Sequence, residues 1–268
     1  MDGTGNLFKD LIEALPSDME ATVIRYPKDR IQSYVQLLQL LELSLPSSAP
    51  FVLVAESFST PLAIQWSATS RANLKGLVIC AGFAASPLRG WLRHLCLLLS
   101  PIAFSVHPPD IAIEHFLVGR TASKSVIIGV KQAIASVSPK VLVARFRSAL
   151  TCDARSALSA VDAPILLIGA TEDELIGSKC MKEMRDLRPD AAVEMISGPH
   201  LLFRSELERR QKPSQSMPAN SRLASSRKNP AFANSGPALA ENAVSPVIQL
   251  GCLEYGRPTI RDRVRQPA

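Results

Sequence analysis

Three residues that could act together in acyl transfer, Ser57, Asp173 and His200, each follow shortly after an apolar run that is typical of a buried strand. A serine hydroxyl is a poor nucleophile unless a neighbouring base takes its proton and a third group orients that base. An imidazole and a carboxylate fill these two roles in serine catalysis. If the runs are parallel strands, their carboxyl ends share one edge of the sheet, where the three side chains can meet.

Ser57 lies at a predicted strand-to-helix turn, between an apolar run at 51–55 and a helix expected at 58–70. In such a turn the strand and the helix pass close together, so the positions two before and two after the serine must be small. Ala55 and Ser59 occupy them and are small, although the usual pattern has glycine at both. Taken alone, the pattern also fits a serine that caps a helix.

The two candidate partners of Ser57, Asp173 and His200, follow apolar runs later in the chain. Asp173 has Glu172 and Glu174 as neighbours, which are alternatives for the carboxylate, and each of these acids also fits an ordinary surface loop. His200 alone also fits a core or helix-capping histidine. Their joint occurrence, with the order serine, acid, histidine and each residue at a strand terminus, favours a catalytic triad built around a nucleophile elbow.

Apolar runs alternate with segments of helical periodicity, which predicts an α/β fold with a doubly wound, mostly parallel sheet. The predicted strands are residues 21–26, 51–55, 74–81, 163–170 and 191–196. The predicted helices outside residues 84–162 are 31–45, 58–70, 181–187 and 201–210. Residues 84–162 hold helical stretches, such as 87–99 and 139–150, which predicts a helical lid that shapes an apolar pocket above the strand ends.

The chain resembles the α/β-hydrolase superfamily, in particular the small bacterial serine esterases with a helical lid. The segments that carry the resemblance are MDGTGNLF at 1–8, AESFS at 55–59, ATED at 170–173 and GPH at 198–200. The resemblance implies a hydrolase core made of residues 1–83 and 163–210, interrupted by the lid at 84–162. It also implies that Ser57 is the nucleophile, that His200 is the general base and acid, and that Asp173 orients the imidazole.

The same resemblance implies an oxyanion hole formed by backbone N–H groups. Phe58 would supply one donor at the start of a helix, where the helix dipole also helps. The second donor comes from the Asp-Gly-Thr-Gly loop, in which only Met1 or Asp2 could serve. We expect that the strands that precede this loop in the family have no counterpart in this chain.

One of those missing strands would lie between the strands predicted at 21–26 and 51–55. We therefore expect a gap in the sheet and an impaired active site, because unpaired buried backbone groups are costly. We hypothesise that the reading frame starts late or is a decayed copy, and that a frameshift past residue 210 produced the tail.

The composition indicates one domain and a basic tail. The chain has 268 residues, of which 47% are hydrophobic, and a net charge of +6. Residues 211–268 hold eight Lys and Arg against three Asp and Glu, so they carry +5 of this charge. Their Ser, Pro, Asn and Arg content without a sustained period predicts a disordered tail. Nucleic-acid binding through its arginines is the alternative, but no aromatic residues interleave with them.

Other features bear on location and cofactors. No apolar stretch of about 18 residues is present, which predicts no membrane span, and the N-terminus lacks the pattern of a signal peptide. Five dispersed cysteines indicate free thiols in a reducing compartment, so we expect a cytoplasmic protein. The four histidines have no metal-ligand spacing, and no metal or other cofactor is expected.

The sequence thus predicts a serine hydrolase that cleaves a small apolar carboxylic ester or thioester through an acyl-serine intermediate. Acyl transfer to an alcohol and carbon–carbon bond hydrolysis use the same triad and stay open. The alternative is a catalytically impaired remnant or a non-catalytic binding protein of the same fold. No nucleic-acid partner is expected.

Overall fold

The computed structural model describes residues 1–202, apart from Asp18 and His107, together with Val247–Leu250. In this part of the chain six strands form one sheet in the order β1-β6-β2-β3-β4-β5, and every pairing is parallel. The strands are β1 (Glu20–Val23), β2 (Phe51–Glu56), β3 (Leu74–Cys80), β4 (Ile165–Ala170), β5 (Ala192–Ile196) and β6 (Val247–Leu250). The predicted α/β class with a parallel sheet is confirmed.

The helices of the described residues fall into two groups. Those of the core are α1 (Lys9–Glu13), α2 (Tyr34–Ser44), α3 (Thr60–Ser67) and α9 (Ser178–Leu187). Those between β3 and β4 are α4 (Gly90–Ala103), α5 (Asp110–Ile113), α6 (Lys124–Ala135), α7 (Pro139–Thr151) and α8 (Arg155–Ser159), with a π-helical turn at Glu114–Val118. None of these helices alone is long and apolar enough to cross a bilayer; only α6 and α7 taken together, with a 97° bend between them, reach that length and apolarity.

Apolar residues on both faces of the sheet hold the helices in place. Along β2, Leu53 and Ala55 belong to the main core with residues of α2, α3, α8 and α9. Val54 points to the opposite face, because successive strand side chains alternate, and it packs with Phe8 beside α1. Helices therefore cover both faces of the sheet, as the sequence predicts.

The helix predicted at 31–45 is shorter, and local chemistry explains both of its ends. Ser33 caps α2, because its hydroxyl accepts a hydrogen bond from the Gln36 N–H, while the Gln36 side chain accepts one from the Ser33 N–H. At the other end, Pro46 pushes Leu45 into an extended conformation and prevents another helical turn.

Residues 84–162, which we call the helical insert, leave and rejoin the core at one paired junction. Ala85 forms an antiparallel bridge with Asp153. On either side of this bridge, the Ala154 N–H donates to Ala84 O at 2.6 Å and the Ser86 N–H donates to Cys152 O at 3.2 Å. The insert also has its own small apolar cluster, formed by Ile113, Val118, Val126, Ile127 and Val130 together with Leu201.

The helix expected at 87–99 begins later and continues through a proline. Pro101 has no N–H to donate to Leu97 O, four residues earlier. The Ser100 hydroxyl (2.9 Å) and the Arg147 guanidinium (3.2 Å) donate to that carbonyl instead. The lost backbone bond is thus replaced, and α4 extends to Ala103.

The expected gap in the sheet is filled, and this corrects the prediction for one part of the tail. Val247–Leu250 form β6, which pairs in parallel with β1 on one side and with β2 on the other. The reading of residues 211–268 as wholly disordered is therefore wrong at these four residues. Without a strand between them, β1 and β2 would leave backbone N–H and C=O groups without hydrogen-bond partners. Pairing with a short apolar segment of the tail is therefore favourable. The helix predicted at 201–210 lies outside the described residues beyond Leu202.

Candidate active site

Ser57 lies at the sharp turn between β2 and α3, in a strained backbone conformation. Its φ angle is +54°, in the left-handed region that non-glycine residues rarely adopt. A short 3-10 turn at Ser57–Ser59 leads directly into α3, which is almost wholly buried. The predicted elbow is therefore present, with the small residues Ala55 and Ser59 buried on either side of the serine.

Three hydroxyl groups hold this turn in shape. The Tyr26 hydroxyl donates to Ser59 Oγ at 3.0 Å, and the Tyr34 hydroxyl donates to Phe58 O at 3.2 Å. The fully buried Thr60 Oγ1 lies 2.8 Å from Ser57 O and accepts a hydrogen bond from the Phe83 N–H at 3.0 Å. Thr60 thus links the elbow to the turn that follows β3, which opposes relaxation of the strained serine.

His200 joins the serine to the acid. Its Nε2 lies 2.8 Å from Ser57 Oγ, and its Nδ1 lies 2.8 Å from Asp173 Oδ2. An ionised carboxylate can only accept, so Nδ1 carries the proton and Nε2 accepts from the serine hydroxyl. His200 is 1% exposed, and its burial shields this relay from competing water.

The loop that carries His200 is fixed from two sides. The Glu172 N–H donates to Gly198 O at 2.9 Å, which ties the loop after β5 to the loop after β4. The Leu201 N–H donates to Leu117 O at 2.9 Å, and the Leu201 side chain packs in the apolar cluster of the helical insert. The position of the imidazole therefore depends on both the sheet edge and the insert.

Asp173 is the acid that reaches His200. Its second oxygen, Oδ1, accepts hydrogen bonds from the N–H groups of Leu175 and Ile176, each at 2.9 Å. Burial by itself would raise the pKa of Asp173, but the bond and charge of His200 and these two N–H groups outweigh it. The pKa of Asp173 therefore lies below its usual value, and the carboxylate stays ionised beside the ring.

The two competing acids do not reach the ring. Glu172 and Glu174 are both exposed. A side-chain hydrogen bond of Glu172 is to the Ser197 hydroxyl, at 3.4 Å. Of the three carboxylates that the sequence left open, the structure brings Asp173 to the imidazole.

The residues expected to form the oxyanion hole lie in two separate elements. Phe58 is buried, and its N–H belongs to the first turn after Ser57, where N–H groups have no partner within the helix. Met1 and Asp2 belong to the N-terminal loop. Gly3 O of this loop accepts a hydrogen bond from the Tyr26 N–H at 2.9 Å, so Tyr26 contacts both the loop and the elbow.

A buried arginine that the sequence analysis did not single out anchors the same loop. Arg145, in α7 of the helical insert, donates to Met1 O at 3.0 Å, to Asp2 O at 2.6 Å and to Pro27 O at 2.7 Å. Gly3 has a φ of +68°, and a Cβ there would lie 2.8 Å from Arg145 Nη1, so the close approach requires glycine. An apolar helical pattern gives no signal for such a contact, since the partners lie far away along the chain.

Asp2 is itself held by local bonds. Its Oδ1 accepts from the Thr4 N–H at 3.0 Å and from the Thr4 hydroxyl at 2.6 Å. Burial by itself would raise the pKa of Asp2, but the Met1 ammonium, Thr4 and Arg145 hold it below the usual value. The loop therefore carries a fixed negative charge next to Arg145.

A small cavity of about 20 Å³ borders Asp173. Asp173, Gly82, Gly169, Met181 and Met195 contribute to its lining, whereas Ser57 and His200 do not. It has room for about one water molecule and is too small for an acyl group. The apolar substrate pocket expected beneath the insert stays a prediction. The described residues hold no cluster of three His, Cys, Asp or Glu side chains that could bind a metal ion.

Comparison with solved structures defines the class of fold. The chain is similar to MenH from S. aureus, with a TM-score of 0.61 and 13% identity over 78% of this chain and 86% of that one. It is similar to a hydrolase from Oleispira antarctica, with a TM-score of 0.55 and 15% identity over 66% of this chain and 68% of that one. It is also similar to a thermophilic esterase from Thermogutta terrifontis, with a TM-score of 0.53 and 21% identity over 67% of this chain and 70% of that one.

These similarities, together with the parallel sheet, show that the chain has the α/β-hydrolase fold. No protein-family profile and no curated protein sequence matches the chain. The fold class inferred from the sequence is therefore confirmed.

Proposed function

We propose that the protein is a serine hydrolase that cleaves a small carboxylic ester or thioester through an acyl-serine intermediate. The observation that carries this proposal is the continuous relay from Ser57 Oγ through His200 to Asp173, with both contacts at 2.8 Å. The left-handed φ of Ser57 supports it, since strain of this kind is concentrated at functional sites.

In the first half-reaction, Ser57 Oγ attacks the carbonyl carbon of the ester while its proton passes to His200 Nε2. The Phe58 N–H and an N–H of the N-terminal loop, from Met1 or Asp2, stabilise the oxyanion that forms. Asp173 stabilises the imidazolium through Nδ1. The bond to the leaving alcohol or thiol then breaks, and the proton on Nε2 goes to the leaving group.

In the second half-reaction, water attacks the acyl-serine and His200 takes a proton from it. Collapse of the tetrahedral intermediate breaks the bond between the acyl carbon and Ser57 Oγ, and the proton returns to the serine. The products are a carboxylic acid and the alcohol or thiol already released. These steps need only the residues of the chain and water. The esterase from Thermogutta terrifontis supports this reaction class by its fold.

Labelling with a fluorophosphonate tests the proposal directly. The reagent forms a covalent bond with a serine only when a base activates its hydroxyl. We expect one label per chain, on Ser57, and no label on Ser57→Ala. Ser67→Ala is the matched control, because Ser67 is a buried serine of α3 that lies outside the relay and the turn; this variant should keep the label.

The alternative is a binding protein or impaired remnant that keeps the relay geometry without the chemistry. It predicts a folded chain that takes up no label and hydrolyses no ester. Circular dichroism of the same sample distinguishes this outcome from a chain that has failed to fold. A folded and unlabelled protein would contradict the proposed hydrolase.

A further inference from the structure

The longest helix of the insert exposes an apolar face. In α4, Trp91 is 75% exposed, Leu98 is 73% exposed and Ile102 is 69% exposed. Leu92, Leu95 and Leu99 are exposed as well. With a rotation of about 100° per residue, these six side chains fall within an arc of about 120°. Single exposed apolar residues are normal, but a continuous apolar stripe marks an interaction surface.

The opposite side of α4 is turned inward. Ser100 is buried, and its hydroxyl accepts a hydrogen bond from Arg147 Nε of α7 at 3.1 Å. The Arg147 guanidinium also donates to Leu97 O. A surface helix normally buries its apolar stripe and exposes its polar side. In α4 the apolar arc is the exposed side, so this face is suited to a partner rather than to water.

The charge of the surroundings indicates which partner fits. The helical insert, residues 84–162, has nine Lys and Arg against four Asp and Glu, which gives +5. The remainder of residues 1–211 has 13 basic and 17 acidic residues, which gives −4. Neither α4 nor α7 contains an acidic residue, and Lys140 and Arg147 are exposed on α7, whereas Arg89, just before α4, is paired with Glu183.

We propose that the exposed face of α4 docks on an anionic lipid surface. Trp91, Leu98 and Ile102 would enter the boundary between headgroups and acyl chains, while the net positive charge of the helical insert attracts the headgroups. A helix that presents Trp and Leu on one face of a positively charged unit is suited to lie in this plane. Anionic headgroups complement the positive insert.

A lipid surface fits this face better than a second protein does. A protein interface combines an apolar centre with hydrogen bonds at its rim and needs about 800 Å² from each partner. The arc of α4 holds apolar side chains alone, on a helix of 14 residues. Acyl chains need neither hydrogen bonds nor shape complementarity. This inference does not depend on the proposed hydrolase activity.

Co-sedimentation of the full chain with vesicles tests the docking. We expect binding to vesicles of phosphatidylcholine with phosphatidylglycerol, weaker binding to phosphatidylcholine alone, and a loss of binding at high salt. Leu98→Asp should weaken binding by roughly tenfold or more. Leu43→Asp is the matched control, because Leu43 is 85% exposed on α2 of the core; it should leave binding unchanged.

Tryptophan fluorescence gives a second readout. The chain has two tryptophans, of which Trp66 is buried beneath Arg71 and Trp91 is exposed. We expect a blue shift of the emission on anionic vesicles that disappears in Trp91→Phe. Absence of vesicle binding, or equal binding by Leu98→Asp and Leu43→Asp, would overturn the proposal. So would a dimer in sedimentation equilibrium that Leu98→Asp dissociates, without any vesicle binding.

Discussion

The carboxylate of Asp173 shows how loop geometry selects one acid among neighbours. Oδ2 faces His200, and Oδ1 is bound by the N–H groups of Leu175 and Ile176. These two N–H groups turn the side chain toward the ring and keep it ionised. A strand ending in three acids could be recognised from the sequence, because apolar runs predict strands well. The pattern of residues alone left the choice among the acids open, because it depends on the backbone path of the loop, and only the resemblance to the α/β-hydrolases favoured Asp173.

We expect Asp173→Asn to slow fluorophosphonate labelling of Ser57 by about 10³- to 10⁴-fold. The amide can no longer hold the imidazole in the tautomer that accepts the serine proton. Glu172→Gln and Glu174→Gln remove a charge of the same sign from the same loop and should leave the labelling rate unchanged. A comparable loss in either glutamine variant would show that Asp173 is not the orienting group.

The lowered pKa of Asp173 also has a consequence for stability. The folded chain binds a proton at this site less readily than the unfolded chain, so the ionised carboxylate stabilises the fold at neutral pH. This contribution is lost as the pH falls from the ordinary carboxyl pKa of about 4 through the lower folded value. In urea unfolding between pH 7 and pH 3, the stability difference between wild type and Asp173→Asn should shrink. A difference independent of pH would contradict the assignment.

Helix α7 contributes to the candidate site from a distance, through Arg145. Replacing Arg145 by Met leaves the carbonyls of Met1, Asp2 and Pro27 without their buried donor. We expect a loss of about 3 kcal/mol in the free energy of unfolding. We also expect roughly 100-fold slower labelling of Ser57, because the N-terminal loop is proposed to supply an oxyanion donor.

Arg147→Met is the control for this prediction, since Arg147 is exposed on the same helix and contacts α4 instead. This variant should lower the free energy of unfolding by less than about 1 kcal/mol and leave the labelling rate of Ser57 unchanged. If Arg145→Met labels at the normal rate while losing stability, Arg145 is structural and the loop does not form the oxyanion hole.

Secondary structure follows from local rules over most of the core, whereas contacts between distant elements do not. The apolar runs that predict β2 and β4 end within a residue of the observed strands. The strand predicted at 21–26 ends at Val23, because the Tyr26 N–H donates to Gly3 O of the N-terminal loop. This early end of the strand depends on a loop more than twenty residues away in the sequence. The spacing of apolar residues within the strand gives no signal for such a contact.

The sheet as a whole is continuous because a tail segment lies between β1 and β2. The sequence predicted a gap between β1 and β2, and β6 fills it with parallel pairings on both sides. Val247–Leu250 is a segment of only four residues, three of them apolar, in a tail rich in Ser, Pro and Asn. So short a segment could not be recognised as a strand from the sequence. The reason for the pairing lies in the backbone N–H and C=O groups of β1 and β2, which would have no partner without β6.

We therefore expect Ile248→Pro to destabilise the protein by about 3 kcal/mol or more, because proline cannot donate to a ladder in the middle of a sheet. Ile260→Pro places the same residue elsewhere in the tail and controls for proline as such. Chemical denaturation followed by circular dichroism measures both variants. Equal stability of the two would show that β6 does not hold the sheet together.

The paired junction at Ala85 and Asp153 bears on how the molecule could change over time. Since the whole insert enters and leaves at one bridge, an exchange of everything between these residues preserves every strand register of the sheet. A replacement insert would keep the sheet, but it would also have to supply the contact that Leu117 makes with Leu201 and the contacts that Arg145 makes with the N-terminal loop.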